Sequence, residues 1–134
     1  MMVSTRGRYA LRVLLDLIIH DDGGYIPMKD IAKRQSISQK YMEQIMPALT
    51  KTGLVEAVHG KGGGYKLSKS PSEYCVGEIL RVTEGDLAPV ACVSEKTEPC
   101  EHRGQCKTAK MWAEFNRITN EYFDSVKLTD LLEK

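Results

Sequence analysis

From Thr5 to Ile19 the apolar residues Tyr9, Val13, Leu14, Leu17 and Ile18 recur at helical spacing and share one face. Ser4 or Thr5 stands where an N-cap belongs, and the run DDGG breaks the pattern. Met28 to Arg34 fits a short second helix with Ile31 and Ala32 facing inward. The tetrapeptide QSIS then reads as a turn ending on Ser38, a second N-cap, with Glu43 and Gln44 within reach downstream. A third helix over YMEQIMPALTKT stops at Gly53, a natural residue just past a helix end. Pro47 should cost this helix one hydrogen bond and bend it.

Beyond Gly53 the period changes. LVEAV (54–58) reads as a strand and YKLS (65–68) as its partner, joined by HGKGGG, a glycine-rich hairpin tip able to take positive φ. A fourth helix fits Val76 to Glu84, with Ile79, Leu80 and Val82 apolar. Residues 85–106 read as loop, polar and without apolar residues to order it. A long helix then covers roughly Lys107 to Asp124, and a short tail helix lies around Thr129 to Leu132. There is no internal repeat. The expected class is mainly α with a small β-hairpin (α+β), divided as 1–84, a loop over 85–106, and 107–134.

Three short helices followed by a two-stranded wing is the order of a winged helix-turn-helix, whose helix after the turn enters the major groove. The polar face of the third helix offers Ser38, Gln39, Lys40, Tyr41, Glu43 and Gln44. Gln pairs bidentately with adenine and Glu accepts from cytosine N4. Arg6, Arg8, Lys40 and Lys61 suit phosphates, which position a protein without reading sequence. Charge agrees with this. The net +1 divides into +5 for residues 1–69, with eleven Lys/Arg against six Asp/Glu, and −4 for residues 70–134, with eight against twelve. A basic N-terminal half suits a polyanion partner, double-stranded DNA here.

The long helix carries Met111, Phe115, Ile118 and Tyr122, stepping by four, three and four. This is a coiled-coil-like seam, and the helices and wing before it already close a unit. The seam is therefore expected to pair with a second copy of the chain, which would present two recognition helices about one DNA turn apart. No run approaches the roughly 18 apolar residues of a membrane span. Arg12 and Asp16 interrupt the one stretch that looks like a signal peptide, so no membrane association is expected and the chain reads as cytoplasmic. No nucleophile, base and orienter appear together, so no enzyme is expected. His20, His59 and His102 are scattered, and His20 suits a helix end.

The segment CVSEKTEPCEHRGQC (92–106) places Cys92, Cys100 and Cys106 in a polar stretch. Their spacing is wider than the two-residue knuckles of structural zinc. Intracellular disulfides are uncommon, and three thiols leave one over. Thiolates suit an iron–sulfur cluster, whose ligation could order the loop. On spacing alone, cluster and zinc both stay open. Cys75, outside the loop, reads as a small buried residue.

The stretches STRGRYALRVLLDL, IAKRQSISQKYMEQIMPALTKTGLVEAVHGKGGGYKLSKSP and VGEILRVTEG resemble the family of winged-helix repressors that includes IscR, NsrR and CymR. ISxxYMEQ and GxGGGY are the most specific motifs. The resemblance covers nearly the whole chain and is strongest to the IscR-like members, regulators of iron–sulfur cluster assembly. It implies a homodimer held by the long helix, and operator contacts from Ser38–Gln44 and from the wing residues His59, Gly60, Lys61, Gly62 and Gly63. In many members it implies one 2Fe–2S cluster per subunit, held by three cysteines at the positions of Cys92, Cys100 and Cys106, and it allows cluster-assembly proteins as partners.

Two positions depart from that pattern. His59 stands where the family has a DNA-reaching arginine, with Lys61 as a partial replacement. Ala109 stands where it has a histidine three residues after the last cysteine, which leaves His102 as the nitrogen donor within the loop and Glu95, Glu98 and Glu101 as oxygen donors. A cluster-free repressor of cysteine metabolism is the alternative within the family, against which the three loop cysteines stand. A small iron–sulfur redox or carrier protein is the alternative outside it, against which the basic half and the wing stand.

Overall fold

The computed structural model of the chain describes residues 3–133. Helices α1 (Thr5–Ile19), α2 (Met28–Gln35) and α3 (Gln39–Lys51) come first, followed by strands β1 (Val55–Val58) and β2 (Gly64–Leu67). Helices α4 (Val76–Glu84), α5 (Ala109–Ser125) and α6 (Leu128–Leu131) complete the chain, with single 3-10 turns at Pro71–Glu73 and Ala91–Val93. The fold is helix-rich with one antiparallel hairpin in which Val55 faces Leu67 and Val58 faces Gly64, as the sequence predicts.

Local chemistry explains the starts and stops. Ser4 Oγ accepts the Gly7 N–H at 3.1 Å and caps α1. Ser38 Oγ accepts the Tyr41 N–H at 3.1 Å and caps α3. The turn between α2 and α3 is made by Ser36 in the left-handed region (φ 55), while Ile37 behind it is buried. Pro47 sits inside α3, which continues past it to Lys51. The long helix begins at Ala109, two residues later than its apolar pattern suggests. Turns occupy the preceding residues, with Arg103 N–H donating to the Cys100 carbonyl and Gln105 N–H to that of His102.

The core gathers Val13, Leu14 and Leu17 of α1, Ile31 of α2, Met42, Ile45, Met46 and Leu49 of α3, and Ile79 of α4. Tyr74 lies fully buried at the base of the wing. Its hydroxyl donates to the Leu54 carbonyl at 2.6 Å and accepts the Ser68 N–H at 3.1 Å, tying together the two ends of the hairpin. Burial pushes this phenol above its ordinary value. The wing is also pinned sideways, because Ile26 and Tyr65 exchange both backbone hydrogen bonds at 2.8 Å. Gly64 makes this possible: its φ is 153, and a Cβ there would collide with the Ile26 carbonyl.

The C-terminal segment is more deeply engaged than its sequence pattern indicates. Leu128 of α6 is fully buried in the main core, and Phe123 and Val126 pack on a second cluster of Val76, Leu80 and Leu87. Val76 N–H donates to the Val126 carbonyl at 2.8 Å, and Leu128 N–H to that of Tyr74 at 3.1 Å. Arg81 of α4 grips Asp124 through two hydrogen bonds of 2.7 and 2.9 Å and reaches Asn120 at 2.7 Å. Burial of Leu87 also corrects the expectation that the loop has no apolar anchor. Its first residues are held to α4, and Asp86 accepts from the Ser94 hydroxyl and from Ala88 N–H.

Candidate DNA interface and cysteine cavity

Helix α3 divides cleanly. Met42, Ile45, Met46 and Leu49 are fully buried, whereas Ser38, Gln39, Lys40, Glu43 and Gln44 are exposed. Tyr41 is half-buried, its ring meeting Tyr9 of α1 edge-on at 5.2 Å, so it braces the start of α3 and is less free for DNA than its neighbours. Across the wing, His59, Gly60, Lys61 and Gly62 are exposed and Gly63 half-buried. The tip turns on positive φ at Gly60 and Gly62, closed by Gly63 N–H donating to the Gly60 carbonyl at 3.0 Å. Helix α3 and the wing approach each other at Tyr65, whose phenol is pushed up first by burial and then by the Glu43 carboxylate. Arg6 and Arg8 are exposed on the first turns of α1, and Arg8 donates to the Thr5 hydroxyl at 3.1 Å.

Helix α2 is held against α1 by a polar contact that the hydrophobic pattern does not reveal. Asp16, 1% exposed, accepts three hydrogen bonds from Arg34 at 2.7, 3.0 and 3.3 Å and one from the Gln35 amide at 2.9 Å. Arg12 in turn donates to the Gln35 side chain at 3.2 Å. Burial alone would raise the Asp16 pKa. The bonds from Arg34 and Gln35 and the Arg34 charge outweigh it and hold the carboxyl below the usual aspartate value. This pairing sets α2 against α1, and through the turn it aims α3. In the sequence, Asp16 showed only as an interruption of an apolar run. A signal was nonetheless present, since Asp16 lies within the stretch Val13–Leu17 that faces the core.

The three loop cysteines converge. Cys92, Cys100 and Cys106 line one cavity of about 520 Å³ at the start of α5, together with Ser94, Glu95, Arg103 and Ala109. All three thiols are free and exposed. The Thr108 hydroxyl at 3.2 Å and the backbone N–H groups of Thr108 and Ala109 lower the pKa of the Cys106 thiol. His102 does not line the cavity, and of the three loop glutamates only Glu95 does. Among the described residues no group of three or more His, Cys, Asp or Glu side chains is arranged to hold a metal ion. The sulfurs therefore share a cavity without forming a finished ligand set. Cys75 is half-buried and caps α4, its sulfur accepting the Glu78 N–H at 3.4 Å.

A profile of iron-dependent transcriptional regulators, the Rrf2 family, matches residues 3–134. The chain belongs to the Rrf2 family. It is 33% identical over 132 residues to the HTH-type transcriptional regulator IscR of Aliivibrio salmonicida, covering 98% of this chain and 77% of that protein. Among solved structures, T. potens IscR is 35% identical with a TM-score of 0.77, covering 99% of this chain and 87% of the other. CymR, the global cysteine regulator of B. subtilis, is 34% identical with a TM-score of 0.77, covering 98% and 95%. This Rrf2 protein is thus a DNA-binding transcription regulator of winged-helix fold, and among its described residues no helix is long and apolar enough to cross a membrane.

In this Rrf2 chain the seam residues of α5 stand in the open. Met111, Phe115, Ile118 and Tyr122 are 53%, 44%, 50% and 61% exposed, a continuous apolar stripe of the kind that marks an interaction surface. Beside it, Arg117 bridges Glu114 and Glu121. The opposite side of the helix carries Thr119, Asn120 and Phe123 toward α4.

Proposed function

We propose that this chain is a cytoplasmic homodimer that binds operator DNA through α3 and the wing and reports iron–sulfur status through one 2Fe–2S cluster per subunit, controlling cluster-assembly genes. The observation that carries the sensing part is the convergence of Cys92, Cys100 and Cys106 on one cavity. The donor set suits the group: three accessible thiols, one of them lowered in pKa, are the soft ligands iron–sulfur clusters use. Those three residues would hold the cluster, with His102 or Glu95 as the chain's own candidates for the remaining position. The cluster would supply an occupancy that depends on iron and sulfide supply. The chain's own part is transmission: Leu87 packs the start of the cysteine loop on α4, Asp86 holds Ser94 within that loop, and Glu84 at the end of α4 accepts from Ser4 N–H at 2.9 Å at the start of α1. Cluster-assembly proteins are the partners that would load it.

Anaerobic purification followed by a visible absorption spectrum and an iron and sulfide count tests this directly. A colourless protein without iron sinks the sensing reading. It would leave a cluster-free regulator of cysteine metabolism, the reading favoured by the equal likeness to CymR and by the unfinished ligand set.

Three further outcomes are expected. Gln44→Ala should weaken a specific operator by about 1–3 kcal/mol and leave random DNA nearly unaffected. Lys61→Ala should weaken all sequences alike and flatten the salt dependence. Equal losses on specific and random DNA would remove Gln44 from base reading. Ile118→Asp should place a charge in the α5 seam and yield monomer. Sedimentation at micromolar concentration checks it, and a monomeric wild type would refute the interface.

A further inference from the structure

We infer that Pro47 is a specificity-determining residue of α3 that reads the 5-methyl group of a thymine in each half-site; this rests on α3 being the recognition helix. The exposed residues Lys40, Glu43, Gln44 and Pro47 fall at i, i+3, i+4 and i+7, the spacing at which a recognition helix turns side chains toward successive base edges. Met42, Ile45, Met46 and Leu49 on the other side are buried, so the helix has no freedom to turn Pro47 inward.

Three of these four residues carry polar ends suited to phosphates or to hydrogen-bonding base edges. Pro47 is the apolar member, and the apolar feature of a major-groove edge is the thymine methyl. Its place inside α3 is otherwise unfavourable. Proline removes the N–H that would donate to the Glu43 carbonyl, and its ring crowds that turn. A residue that weakens its own helix and buries nothing in the core has its use on the outside. The pyrrolidine ring is also rigid, so it presents a fixed apolar surface with little side-chain entropy to lose on docking.

The experiment uses the full-length protein. An operator is enriched from a random duplex library with the wild type, and each thymine of the enriched site is then replaced singly by uracil, which removes only the methyl. Binding is followed by fluorescence anisotropy. Wild-type affinity should fall about fourfold at one thymine per half-site, the worth of burying one methyl. The same replacement should cost Pro47→Ser nothing. That variant regains the backbone donor to Glu43 and so keeps its helix, which thermal unfolding verifies.

If no uracil replacement weakens the wild type, or if Pro47→Ser suffers the same loss at the same position, the assignment to Pro47 is overturned. Gln44→Ala, measured on the same site, separates this from failure of the underlying reading. If Gln44→Ala loses discrimination while uracil has no effect, only Pro47 is excluded. If no sequence is enriched, or Gln44→Ala binds the enriched site as the wild type does, α3 is not the reader and both fall.

Discussion

Arg34→Ala is expected to destabilise the fold by about 3–5 kcal/mol, because it strands a buried carboxylate. The Asp16 side chain is fully buried and the Arg34 side chain 33% exposed, so the two halves of the pair are not equivalent. Without Arg34, Asp16 keeps only the Gln35 amide. Without Asp16, Arg34 can turn its guanidinium to water, so Asp16→Asn should cost less.

The pH dependence should change sign as well. In the wild type the folded carboxyl is more acidic than its ordinary value of 3.8. Its stabilisation is therefore complete above that value and is lost as pH falls through the folded pKa. In Arg34→Ala burial dominates and raises the folded pKa above the unfolded one. That variant should gain stability on acidification through its raised value, over a range where the wild type is flat. Urea unfolding at a fixed protein concentration across mildly acidic to neutral pH measures both. Parallel pH profiles for the two proteins would refute this account of the pair.

Alanine at any one of Cys92, Cys100 or Cys106 is expected to abolish almost all bound iron and sulfide, while Cys75→Ala leaves the spectrum as it is. The difference follows from placement. The three loop sulfurs line one cavity, whereas the Cys75 sulfur is already engaged as the cap of α4. If His102 ligates, His102→Ala should retain some cluster but shift its spectrum and lower its reduction potential, since histidine ligation raises potential. An unchanged spectrum and potential would pass the position to Glu95 or to a ligand from outside the chain. Retention of full iron and sulfide by each single cysteine variant would refute the thiolate set itself.

Most of the architecture was legible in the chain. Helices α1 to α4 and the hairpin fall where apolar spacing, Ser4 and Ser38 as caps, and the glycines after α3 place them. These are local effects, decided by residues within one or two turns of each other. The exposed stripe from Met111 to Tyr122 was legible for the same reason. The sequence also determined which donor atoms exist: three thiols in one polar segment, Ala109 where the related pattern has histidine, and Lys61 and His59 at the wing tip.

The tertiary structure alone decided what those atoms meet. Asp16 becomes the buried partner of Arg34 and Gln35, and Leu128 completes a core begun more than a hundred residues earlier. Leu87 anchors the cysteine loop, and Glu95 rather than His102 shares the cavity with the thiols. Most of these join residues distant in sequence, the cavity depends on how a loop without a regular period folds back on itself, and no periodicity records either. Burial and hydrogen bonding between distant segments depend on how helices cross, and a crossing is set by the packing of all of them together.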